Sequence, residues 1–258
     1  MGEVYVITSG KGGVGKTTST VNIGLALTYL GKKVCIIDGD IGLRNMDLLL
    51  GLENQVINNI VDVIENKCTV NEALIKYKDS DSLFFIASSQ TADYSRITSE
   101  DMKQLVNSIR NQFDYILIDC PAGIEQGFKN AIAGADKAII VTMPLTSAIR
   151  DADRIKSILI NKGINDIKVL VNRSRDELVS KGYMASSDSI SELMGVDLLG
   201  IVPDDENVLI SANSGIPVVG YNCLSGRAYK EAAKVLCGIE SEKASKEPRK
   251  GFFKRLFN

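Results

Sequence analysis

The stretch from Gly10 to Thr18, Gly-Lys-Gly-Gly-Val-Gly-Lys-Thr-Thr, constrains this chain more than any other. It satisfies the phosphate-loop pattern G-x-x-x-x-G-K-[ST] at every required position: Gly10, Gly15, Lys16 and Thr17. Upstream, Val4-Tyr5-Val6-Ile7 is a β-branched and aromatic run that predicts a buried strand. Downstream, Val21, Leu25, Ala26 and Tyr29 predict a helix from 16 to 30, closing at Gly31. Strand, glycine loop and helix are what phosphate chemistry needs. Gly10, Gly12, Gly13 and Gly15, with Lys11, Val14 and Thr18 between and after them, let backbone N–H groups curl around an anion. The helix N-terminus adds a positive partial charge. Lys16 is placed to reach the β- and γ-phosphates of a nucleotide, and the Thr17 hydroxyl to ligate Mg²⁺.

Short apolar runs alternate with amphipathic stretches along the chain, the signature of βαβ units. Strands are expected at 3–8, 33–38, 83–87, 114–119, 137–143, 167–172 and 197–202. Helices are expected at 16–30, 57–65, 99–111, 125–134, 147–161, 187–194, 204–213 and 225–237. The fold class is therefore α/β: a single doubly wound, mostly parallel sheet flanked by helices, over residues 1–239. Such sheets bind ligands at the C-terminal ends of their strands, and the carboxylates fall there. Val34-Cys35-Ile36-Ile37 runs into Asp38-Gly39-Asp40, and Tyr115-Ile116-Leu117-Ile118 into Asp119. Asp119 is placed to hold Mg²⁺ directly or through water, with Asp38 supporting the metal or the loop from behind. Asp40 is placed to orient an attacking water. Phosphoryl transfer relies on positioning and charge stabilisation, so it needs no histidine base. There is none: the chain has no histidine, which excludes Ser-His-Asp and Cys-His mechanisms and histidine-ligated metals. Five widely spaced cysteines argue for reduced thiols in a cytoplasmic protein. A net charge of −2 points to no nucleic-acid partner, and no apolar run is long enough for a spanning helix.

Lys11 says more than the loop motif, because a second lysine is not needed to cradle the phosphates of its own chain. With it the loop K-G-G-V-G-K-T resembles the deviant Walker A motif of the MinD/ParA family of ATPases, and the resemblance extends beyond the loop. Asp38 to Asn45 reads D-G-D-I-G-L-R-N, a string close to the one found in the family's division-site branch. Asp119 to Gly123 reads D-C-P-A-G, close to the family's D-x-P-A-G. The resemblance implies ATP and Mg²⁺ as cofactors, ATP hydrolysis stimulated by a partner and by membrane, and a homodimer in the ATP state. In that dimer Lys11 reaches the nucleotide of the other subunit. Asn172, with Arg173 beside it, would read the adenine edge, and Pro203-Asp204 would supply a second base contact; Asn172 has an alternative as an ordinary turn residue. Ser147 to Arg154 resembles a surface used by the family's regulators, making Asp151 and Asp153 partner-facing; a favourable placement near a helix N-terminus explains them equally well. The implied partners are a division inhibitor of the MinC kind and an activator of the MinE kind or another topological factor. Partitioning and flagellar-number ATPases of the same family are the rival readings.

From Glu240 the composition changes. Residues 240–248 read as a flexible charged linker ending at Pro248, and 249–258 as an amphipathic helix. Phe252, Phe253, Leu256 and Phe257 share one arc of a helical wheel, with Lys250, Lys254 and Arg255 on the rest. That pattern suits a helix lying in an anionic membrane surface, with a tail helix docked on the domain's own core as the alternative; the resemblance implies the inner face of the cell membrane. Four large apolar side chains contribute about 6–12 kcal/mol gross. Ordering so short a segment offsets about as much, at roughly 1–2 kcal/mol per residue. One tail is thus expected to bind weakly, and two on one dimer more tightly by a factor of roughly 10²–10⁴.

Overall fold

The structure is a computed structural model and describes residues 1–42 and 45–239. Arg44 of the D-G-D-I-G-L-R-N string, the linker 240–248 and the apolar and basic residues of 249–258 lie outside the described residues.

The elements run β1 (Glu3–Thr8), α1 (Lys16–Tyr29), β2 (Val34–Asp38), α2 (Met46–Leu50), α3 (Ile60–Ile64), α4 (Val70–Ala73), β3 (Leu74–Lys76), β4 (Leu83–Ile86), α5 (Ser99–Ile109) and β5 (Tyr115–Asp119). They continue with α6 (Gln126–Ala133), β6 (Lys137–Thr142), α7 (Thr146–Asn161), β7 (Asp166–Ser174), α8 (Asp176–Ser180), α9 (Ser187–Met194), β8 (Asp197–Pro203), α10 (Asn207–Ser214) and α11 (Leu224–Leu236). The strands form one sheet in the order β3-β4-β2-β5-β1-β6-β7-β8. Among the described residues only the β3–β4 pairing is antiparallel. Because strand side chains alternate, β1 feeds two cores. Val4 and Val6 pack with Met102, Phe128 and Ile155 on one face, and Tyr5 and Ile7 with Ile23, Leu27 and Tyr229 on the other. β1, β2 and β5, buried on both faces, read as unbroken apolar runs, and all seven parallel strands lie where apolar runs predict them.

The differences from expectation have local causes. β3 was not expected: it has three residues, and α4 runs straight into it. The helix anticipated over 57–65 begins only at Ile60, because Asn59 caps it. Its side chain accepts from Val61 N while Asp62 bonds back to the Asn59 N–H, a reciprocal cap that ends the preceding loop. The short helices α2, α4 and α8 were likewise not anticipated; each has five residues or fewer, too short to show a helical period. Helix α1 is buried almost all round rather than on one stripe. Its polar residues are satisfied inside: Asn22 donates to Thr18 O at 2.8 Å and accepts from Val219 N at 2.8 Å, and the Ser19 and Tyr229 hydroxyls meet at 3.2 Å. Tyr29, expected on the apolar face, is instead half-exposed with Lys230 Nζ over its ring.

Candidate phosphate-binding site

The loop between β1 and α1 sits at the C-terminal edge of the central strand, between the ends of β5 and β6. Ser9 Oγ donates to Lys11 O at 2.8 Å and pins the start of the loop. Gly15 ends it in the left-handed region at φ 97°, as the residue before α1, with no side chain capping the helix. The first N–H groups of α1 are therefore left for a ligand. Lys16 is buried at 9 % exposure, while Lys11 is exposed. Gly10 has a steric reason to be glycine: a Cβ there would lie 2.3–2.4 Å from the backbone and Cβ of Asp151 in α7. The second turn of α7 thus lies directly against the first residue of the loop.

The parallel register of β2 and β5 sets Asp38 beside Asp119, and both are 1 % exposed. Asp119 accepts from Thr17 Oγ1 at 2.7 Å through Oδ2 and from Thr20 Oγ1 at 2.9 Å through Oδ1. Burial nonetheless pushes its carboxyl up to about 6, with the Thr17 hydroxyl and the Lys16 charge pulling the other way. Asp38 accepts from Asp40 N at 3.0 Å through Oδ1, and among the described residues its buried Oδ2 has no hydrogen-bond partner. Burial, and then repulsion from Asp119, hold that carboxyl well above the usual range. A buried carboxyl pair under this stress, with one oxygen unpartnered, fits a cation. Among the described residues no cluster of three or more Asp, Glu, Cys or His is placed to hold a metal unaided. Mg²⁺ does not ask for one, since it is commonly bound by one or two carboxylates together with substrate phosphates. Asp40 is half-buried, anchored through its backbone by the Asp38 contact and by Ser88 Oγ on its carbonyl at 2.8 Å.

The base-contact candidates lie next to this cluster. Asn172 is buried, its Nδ2 donating to Val14 O at 2.7 Å and its Oδ1 accepting from Arg173 N at 2.9 Å. Arg173 is exposed and adopts φ 55°. Pro203 stands opposite Ser174 in the β7–β8 register. Asp204 N donates to Ser174 O at 3.0 Å, and its carboxylate pairs with Arg175. Sequence reasoning missed the neighbouring Asp205, which takes bonds from Ser225 and Asn207. Against the cost of burial, these bonds hold it well below the usual carboxylate range. It also missed Thr20, although Thr17 and Thr20 are three residues apart on one helix and so share a face. Helix α7 starts at Thr146 with no acidic residue in its first turn, so Asp151 and Asp153 are not explained by the helix dipole. Asp153 pairs with Lys156 at 2.7 Å, and Asp151 forms part of the loop wall.

None of the five cysteines is in a disulfide. Cys120 is fully buried, and burial pushes its thiol up to about 12, so it is no nucleophile at neutral pH.

A family model described as an AAA domain matches residues 2–173. The septum site-determining protein MinD of Bacillus subtilis is 45% identical over 264 aligned positions, covering 98% of each chain. Among solved structures, the MinC:MinD cell division protein complex of Aquifex aeolicus matches with a TM-score of 0.84 and 42% identity, over 97% of this chain and 99% of that one. MinD of Pyrococcus horikoshii complexed with Mg-ADP matches with a TM-score of 0.82 and 27% identity, over 92% and 96%. Identity of this order along almost the whole length, around a phosphate loop backed by two buried aspartates, shows that the chain belongs to the MinD family of septum site-determining ATPases.

Proposed function

We propose that this chain works as an ATP-driven membrane switch that places the cell-division site. Its ATPase activity and its use of Mg²⁺ follow from its family; how the residues serve them is the proposal. The observation that carries it is the loop of Gly10 to Thr18 facing the buried Asp38–Asp119 pair, with Lys11 left exposed at the loop's outer rim. The backbone of Gly10 to Thr18 holds the phosphates, and Lys16 balances their charge. Mg²⁺, when bound, neutralises the charge that develops between the phosphates. Thr17, Asp119 and, from behind, Asp38 would hold that ion. Asp40 orients the attacking water. Asn172, Arg173, Pro203 and Asp204 surround the base.

Lys11 of each subunit reaches the partner's nucleotide, so that ATP, not ADP, closes a homodimer. The dimer presents two tails, whose Phe252, Phe253, Leu256 and Phe257 enter an anionic surface while Lys250, Lys254 and Arg255 meet its charge. It recruits a MinC-like inhibitor, a reading supported by the MinC:MinD complex among the similar structures. A MinE-like or other activator, meeting Asp151 and Asp153, releases it. The partitioning-ATPase alternative is not favoured: a ParA family ATPase of Chlorobium tepidum shares the fold at only 23% identity.

Co-sedimentation with anionic liposomes tests the switch. Binding is expected to be at least about tenfold stronger with ATP than with ADP, in line with the gain from joining two weak sites, and to vanish when the chain ends at Pro248. Equal binding with both nucleotides, or undiminished binding after truncation, would show that attachment is not built on paired tails. Lys11→Ala is expected to bind ATP within about threefold of the unaltered chain, since an exposed charge at the loop rim contributes little to its own site. It should nonetheless stay monomeric in sedimentation velocity with ATP. A normal dimer would remove the cross-subunit role.

A further inference from the structure

We propose that Asn172 is a positioning residue for the phosphate loop, holding the Val14–Gly15 peptide in its anion-binding orientation. The loop is built from glycines because they tolerate its backbone angles, yet glycine offers no steric resistance to a peptide flip. Something outside the loop must therefore choose the orientation. Asn172 does so across 158 residues of sequence: its buried Nδ2 donates to Val14 O at 2.7 Å. In a planar trans peptide the carbonyl and the following N–H point in opposite directions. Holding the Val14 carbonyl toward β7 therefore turns the Gly15 N–H away from β7.

The amide is itself held. Its Oδ1 accepts from Arg173 N at 2.9 Å, and Arg173 takes φ 55°, in the left-handed region. The β7–β8 register shifts between Val171 and Ser174. An irregularity of this kind re-aims a side chain that a regular strand would direct elsewhere. Gly15 completes the fit, because a Cβ at that residue would lie 2.3 Å from Asn172 Nδ2. Position 15 thus needs glycine twice, for its φ of 97° and for the approach of this amide. One N–H and one lone pair of the side chain remain beyond these two bonds, so the brace and a contact to the base are compatible.

The proposal rests on the nucleotide-binding reading, and the experiment separates the two. Dissociation constants are measured for the full chain, Asn172→Asp and Asn172→Ala with Mg-ATP, Mg-GTP and base-free Mg-tripolyphosphate, by displacement of a fluorescent nucleotide. Tripolyphosphate carries nothing for a base-reading residue to touch. Both variants are expected to bind it roughly 10–100-fold more weakly, the effect of leaving a buried carbonyl unpartnered. The Asn172→Asp defect should shrink as the pH falls and the carboxyl gains a proton to donate; the Asn172→Ala defect should not. Undiminished tripolyphosphate binding with a lost preference for ATP over GTP overturns the proposal and leaves Asn172 as a base reader. If a thermal melt shows Asn172→Asp poorly folded, Asn172→Ala decides the matter by the tripolyphosphate constant. An unaltered chain that fails to bind Mg-ATP overturns the nucleotide reading, and the brace with it.

Discussion

Lys16→Ala is expected to weaken ATP binding by about 10²–10³-fold, the effect of removing one partner from a buried charge pair. Lys16 is almost fully buried and lies close enough to Asp119 for its charge to favour that carboxylate. Truncation removes the cation that balances the phosphates and leaves two buried carboxyls facing an incoming polyanion. Isothermal titration with Mg-ATP measures the loss, and circular dichroism checks that the fold survives. Affinity within threefold of the unaltered chain would show that Lys16 does not reach the phosphates. The contrast with Lys11→Ala is the informative part, since both are lysines of one loop. The buried one should cost binding, and the exposed one only assembly.

Asp119→Asn should separate stability from activity. Asparagine fits the site without a lost bond. Its Oδ1 can accept from Thr17, and its Nδ2 can donate to the Thr20 hydroxyl, whose single proton then goes wholly to Lys16 O, 3.0 Å away. What disappears is a buried charge. A carboxyl raised from 3.8 to about 6 by folding binds protons more tightly in the folded chain than in the unfolded one. Its share of the stability is therefore fully present below the unfolded value and lost as the pH rises from about 4 through about 6. At neutral pH, without nucleotide, the variant is expected to gain on the order of 2–3 kcal/mol, seen as a melting temperature higher by roughly 5–10 °C. At pH 4 the gain should nearly vanish. Turnover should fall by roughly 10²-fold or more as the carboxylate for the metal is lost. A melting temperature unchanged at pH 7 would mean that the unfilled site carries no electrostatic stress.

What could be read from the sequence is what short-range chemistry dictates. Gly10, Gly15, Lys16 and Thr17 must stand in that order for a backbone to wrap a phosphate, and seven strands declare themselves as short apolar runs. The carboxylates at 38 and 119 were legible because each ends such a run. The features that stayed hidden depend on long-range register. The reach of Asn172 to Val14 exists only because β7 loses register with β8 after Val171. The bracketing of Asp119 by Thr20 needs α1 laid across the end of β5. The contact of Gly10 with Asp151 needs α7 laid against the start of the loop. β3 escaped for a different reason: three residues after a reciprocally capped turn of helix carry too little pattern to be seen.

The strand order also sets a timetable for synthesis. β1 lies at the middle of the sheet, yet its two neighbours are residues 115–119 and 137–142. At translation rates of about 5–20 residues per second, the first strand emerges roughly 5–20 s before anything it can pair with. The loop that follows it must wait longer still, for the strand that carries Asn172. A nascent chain therefore has no finished nucleotide pocket until the strands that carry Asn172 and Pro203 have been made, and the residues proposed to seek lipid follow those strands. A chain built in this sequence acquires the means to read ATP before it acquires the means to reach a membrane.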